Sequence, residues 1–137
     1  MYSNIMIPVD LGHTNQMDKA LGVAADIAKL YAAQAHIVGV GQTVPTDIAR
    51  TPAQYAEKLA AFAAERSKAL GVTFQPHVEI SHDPAVELDD VLTRAATQIG
   101  VDLIVMGSHV PGLAEHVFAS NAGYLASHAH MSVFVVR

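Results

Sequence analysis

Three short stretches of this 137-residue chain carry side chains and backbone suited to holding a ligand. Ile7-Pro8-Val9-Asp10 closes an apolar run on a carboxylate. Met106-Gly107-Ser108-His109-Val110-Pro111-Gly112 follows a second such run, and Ala119-Ser120-Asn121 opens a short helical pattern. A lone carboxylate at a strand end is a hydrogen-bond acceptor. Glycine and serine just after a strand expose backbone N–H groups, and a helix starting at Ser120 adds the positive end of its dipole. That combination suits an anion. Between Gly107 and Ser120 the chain spends twelve residues, against about two to six in an ordinary βα turn.

Other chemistries find little support. There is no Ser-His-Asp set and no HExxH motif, and Asp89-Asp90 reads as a solvated helix face rather than an acid–base pair. The absence of cysteine excludes disulfides, thiolate catalysis and thiolate metal sites. Eight histidines are many for this length. His109 and His116 fall in the long loop, while His128 and His130 lie too close in sequence to face one way. All four read as solvent-facing or locally bonded.

The elements that must position these residues alternate in kind. Ile5–Val9, His36–Val40, Leu103–Met106 and Val133–Val136 are short, β-branched apolar runs, the pattern of strands buried on both faces. Residues 73–80 form a weaker strand whose Pro76 places it at an edge or a bulge. Residues 15–33 have helical spacing, with Thr14 or Asn15 as the expected cap. Thr51-Pro52 opens a second helix that Gly71 closes. Asp83-Pro84 opens a third over residues 84–99, with Glu87 placed for a capping box and Gly100 as terminator. A last helix is expected from Asn121 to His128, capped by Ser120. The order βαβαβαβαβ predicts one doubly wound α/β domain over residues 1–137, a parallel sheet with helices on both faces. Ligands of such sheets sit outside the carboxyl ends of the strands, where strand order reverses.

Bulk properties narrow the partners. A net charge of −5, with eight Lys and Arg and no basic cluster, argues against nucleic acid. No apolar run approaches the ~18–20 residues that span a bilayer, so no membrane partner is expected. MYSNIMIPVD lacks a basic segment followed by an apolar one, so no secretory signal is read and a cytoplasmic location is expected.

From IMIPVD to SVFVVR the chain resembles the universal stress proteins. The likeness is most specific in VMGSH…ASNAGYLASHAHMSVFVV, set against the family's Gly-x-x-Gly, nine residues, Gly-Ser pattern. The resemblance implies a Rossmann-like sheet in the order 3-2-1-4-5, a homodimer through the last strand, Ser132 to Val136, and ATP over strands one and four. AMP or ADP are alternatives, with or without Mg²⁺. It implies that Pro8, Val9 and Asp10 flank adenine and ribose, with Asp10 accepting from ribose or base. It further implies that the Val40 backbone reads the adenine edge, that Met106 packs near the base, and that Gly107, Ser108, His109, Gly112 and Ala119 belong to the phosphate loop. Ser120 and Asn121 would hold phosphate oxygens. The chain departs from the pattern at Val110 and Ala119, which stand where glycines are usual, and in a loop one residue shorter. It is closest to a subgroup with a short, Pro-containing loop.

The expected function is therefore an adenine-nucleotide-binding stress-response module with slow hydrolysis or none, since the loop offers no evident general base and no P-loop lysine. The alternatives are a nucleotide-free dimeric interaction protein of the same fold, and an enzyme of the wider adenine-nucleotide hydrolase class.

Overall fold

A computed structural model describes residues 1–107 and 123–137. Five strands are present: β1 (Asn4–Val9), β2 (Gln34–Gln42), β3 (Phe74–Ser81), β4 (Leu103–Gly107) and β5 (Ser132–Val136). Between them run α1 (Asp18–Tyr31), α2 (Pro52–Leu70) and α3 (Pro84–Ile99), and residues 123–128 are also helical. The strands pair in the order β3-β2-β1-β4-β5, all in parallel. The apolar runs explain the centre of this sheet. Ile5, Met6 and Ile7 of β1, Ile37 and Val38 of β2, and Ile104 and Val105 of β4 are wholly buried. Ile7 stands opposite Ile37, and Met6 opposite Ile104.

β3 is the edge strand beyond β2, the position its Pro76 requires, because proline donates nothing to a neighbour. From β1 the chain moves outward to β2 and β3, then crosses back to β4 and β5. Gly39 faces Tyr55 and Leu59 of α2, while its neighbours Val38 and Val40 share a cavity with Leu88 and Leu92 of α3, so α2 and α3 cover opposite faces of the sheet. The strand order reverses between β1 and β4. Among the described residues no helix is long and apolar enough to cross a membrane.

Helix starts follow local chemistry, with two differences from expectation. Thr51 caps α2 as anticipated, its Oγ1 accepting from the Gln54 N–H at 3.1 Å, with Pro52 next. α1 begins later than residue 15, at Asp18. A 3-10 segment over Leu11–Gln16 precedes it, and neither Thr14 nor Asn15 caps it; the N-cap is Met17, without a side-chain bond. Met17 is buried, so packing rather than capping sets this start. At α3 the Asp83 side chain makes no cap bond. Ser81 substitutes: its hydroxyl accepts from the Asp83 N–H at 3.2 Å and donates to the Glu87 carboxylate. That hydroxyl holds the Glu87 carboxyl below its usual range against partial desolvation, with help from the backbone of Asp83 and His82. Gly71 and Gly100 end α2 and α3 with φ of 70° and 76°, a conformation in which a Cβ is strained.

Candidate functional site

The carboxyl ends of β1 and β2, the chain after β2, and the first half of α3 enclose a cavity of about 320 Å³. That is room for a small organic ligand or the rigid part of a larger one. One side is an apolar slot, with Pro8, Val38 and Val40 on the sheet facing Leu88 and Leu92 of α3. The other side carries Asp10, Thr46, Ile48 and Tyr55, with Gln42 at the end of β2. Among the described residues no lysine, arginine or histidine lines it, and Asp10 is the one carboxylate that does.

Tyr55 lies flat along β2 because two glycines make room for it. A Cβ at Gly39 would stand 2.6 Å from its hydroxyl, and one at Gly41 would stand 3.0 Å from its ring. Burial raises the Tyr55 pKa, and the Asp10 charge raises it further. Tyr55 is therefore a neutral phenol at any physiological pH. Thr46 is spent locally, its Oγ1 accepting from the Ile48 and Ala49 N–H groups and donating to the Ala49 carbonyl.

Asp10 directly follows β1 and caps the next turn with its carboxylate. Oδ1 accepts from the Gly12 N–H at 2.8 Å and Oδ2 pairs with His13 Nδ1 at 2.9 Å. The Asp10 side chain is 28% exposed. Each carboxylate oxygen has two lone pairs, so both retain capacity toward the cavity. The arrangement suits a flat apolar ligand in the slot and a hydroxyl or N–H donor at its mouth.

Of the residues marked in the sequence, Pro8, Val9, Asp10 and Val40 meet at this cavity. Met106 does not. It is wholly buried in the core and absent from the lining, because its side chain is consumed by packing within the sheet. Gly107 ends β4 opposite Val136, and among the described residues nothing lies within 4 Å of where its Cβ would be. Ser108, His109, Val110, Gly112, Ala119, Ser120 and Asn121 lie outside the described residues. His128 is locally bonded, its Nδ1 donating to the Tyr124 carbonyl at 3.0 Å while its ring stacks on Tyr124. Among the described residues no three His, Asp or Glu side chains gather to hold a metal.

Sequence reasoning missed Tyr55, Leu88, Leu92 and His13. The signal for Tyr55 was present in Val38-Gly39-Val40-Gly41. Glycines alternating inside a strand mark a close approach on one face.

The family model of the universal stress proteins matches residues 1–137. Universal stress protein G of Escherichia coli O157:H7 is 26% identical over 146 aligned positions, covering 100% of both chains. Among solved structures, a universal stress protein in complex with cAMP superposes with a TM-score of 0.71 at 19% identity, covering 99% of this chain and 97% of that one. The universal stress protein of Archaeoglobus fulgidus in complex with dAMP gives 0.67 at 18% identity, covering 99% and 98%. At these identities the structural likenesses speak for the fold.

Proposed function

This chain belongs to the universal stress protein family, and we propose that it binds an adenine nucleotide in the cavity over β1 and β2 as a cytoplasmic stress-response module. The observation that carries this reading is the cavity itself: a mostly apolar cleft of about 320 Å³ at the carboxyl edge of a parallel sheet, with the Asp10 carboxylate among its lining residues. The complexes of related proteins with cAMP and dAMP point the same way. Adenine fits between Val38 and Val40 on one wall and Leu88 and Leu92 on the other, where the Val40 backbone reads its edge. Ribose then reaches Asp10. The phosphates extend toward Gly107 at the end of β4. ATP, ADP and AMP share this nucleoside, and Mg²⁺ would accompany the longer phosphate chains.

Turnover is slow or nil on this reading. Among the described residues the one carboxylate lining the cavity is already bonded to Gly12 and His13, so it is poorly placed to activate water. Calorimetric titration of nucleotide-free protein with AMP, and with ATP plus Mg²⁺, tests the proposal. Saturable binding below millimolar concentration is expected; no heat of binding at millimolar nucleotide contradicts it.

A second feature supports a homodimer. β5 pairs with β4, and its residues Phe134 and Val135, on opposite faces of the strand, are 45% and 37% exposed. An apolar edge strand left open invites pairing, and a second copy of the same strand closes it by two-fold symmetry.

A further inference from the structure

We propose that His13 is a positioning residue for ribose recognition, fixing the Asp10 carboxylate so that it presents acceptors to the ribose hydroxyls. The inference rests on the nucleotide reading above and adds a residue and a specificity to it.

Three observations converge on the turn after β1. The Asp10 side chain is held at both oxygens, by the Gly12 N–H at 2.8 Å and by His13 Nδ1 at 2.9 Å. A carboxylate only accepts, so Nδ1 carries the proton and donates. The backbone breaks helical geometry at His13, with φ −138° and ψ 47°, inside an otherwise 3-10 segment. The ring nonetheless reaches back to Asp10 across three residues, while the His13 N–H closes the turn onto the Asp10 carbonyl at 3.0 Å. Finally, Gly12 has no side chain where the carboxylate lies, since a Cβ there would stand 3.2 Å from Asp10 Oδ1.

An Asp that merely capped the turn would need only the Gly12 bond. The second bond, to His13, leaves the carboxylate no rotational freedom. An acceptor held in one orientation binds a hydroxyl pair without first losing side-chain entropy. Asp10 lines the cavity and remains partly exposed there, so the fixed oxygens face the ligand's polar end. The base stays with the apolar slot, which does not depend on His13.

The test compares AMP with 2′,3′-dideoxy-AMP by calorimetry on the full chain. Wild type is expected to prefer AMP. His13→Ala should weaken AMP about tenfold, leave dideoxy-AMP unchanged, and so erase the preference. His13→Asn, whose Nδ2 replaces the Nδ1 donor, should restore most of it. A merely structural His13 would lower the melting temperature, or both affinities together, and spare the ratio. Equal loss for the two ligands, no loss for either, or a wild type blind to the hydroxyls would each overturn the positioning role while leaving nucleotide binding intact. A wild type that binds neither ligand would overturn the nucleotide reading and this inference with it. If His13→Ala proves too unstable to titrate, His13→Asn decides: a folded His13→Asn that loses the preference also overturns the role.

Discussion

β1 and β5 flank β4 on either side and both are rich in apolar residues, yet the fold uses them in opposite ways. From Ile5 to Val9 every residue of β1 is buried, between β2 on one side and β4 on the other. β5 has the same β-branched character, but among its five residues only Val136 is buried. The apolar content of β1 is explained by the monomer. That of β5 is not, and a second copy of the chain is the partner that would account for it. The same contrast separates two regions of the sheet: the carboxyl ends of β1 and β2 shape a cavity, whereas β5 leaves apolar side chains exposed.

The largest expected effect breaks the buried side of this comparison. Ile7→Ala removes a fully buried side chain between β2 and β4 and should cost about 2–5 kcal/mol in denaturant unfolding, independent of protein concentration. Phe134→Glu on β5 should do the reverse. It should leave monomer unfolding nearly unchanged, shift the protein to monomer in light scattering, and lower a melting temperature that depends on concentration. A concentration-independent loss at Phe134 as large as that at Ile7 would mean that β5 is already buried within one chain.

The smallest effect concerns the far end of the same sheet, where His36 on β2 bridges Asn4 on β1 and His77 on β3 at 3.2 and 2.9 Å. Burial lowers the His36 pKa below 6.5, and the neighbouring His77 lowers it further. The folded chain therefore takes up its proton at His36 less readily than the unfolded chain. Stability should fall as pH drops through 6.5 toward the depressed folded value, and level off below it. His36→Gln should flatten that part of a melting-temperature profile; an unchanged slope would assign the titration to another group. Loss of the Glu87 contribution belongs to a more acid range, as pH falls through its lowered folded pKa.

The central strands were legible because burial on both faces leaves a continuous β-branched signature. β5 carries the same signature with only Val136 buried, so there the pattern gave the strand but not its burial. Of the edge or bulge that Pro76 allowed, β3 takes the edge. Helix ends were legible where a cap was local, as at Thr51, and misread where burial decided, as at Met17. For the cavity, the rule that ligands sit at strand carboxyl ends brought out Pro8, Val9 and Asp10, and the family resemblance added Val40. It could not bring out Leu88 and Leu92, whose helical spacing looks the same whether a helix face meets a sheet or a ligand. Met106 shows the converse. Its place at a strand end made it a candidate, but its side chain is taken up by the core. His13 was hidden for a third reason: a histidine three residues after a strand-end aspartate is a common spacing, and only the folded turn shows that its ring bonds the Asp10 carboxylate.

The central claim is that nucleotide lies over β1 and β2 rather than on the β5 surface. A residue-resolved NMR titration of the isotope-labelled protein with AMP tests it directly. The account predicts saturable shifts concentrated at Asp10–His13, Val38–Gln42 and Ala85–Leu92, with Val133–Val135 unmoved. Shifts confined to β5, or none at millimolar AMP, would contradict it.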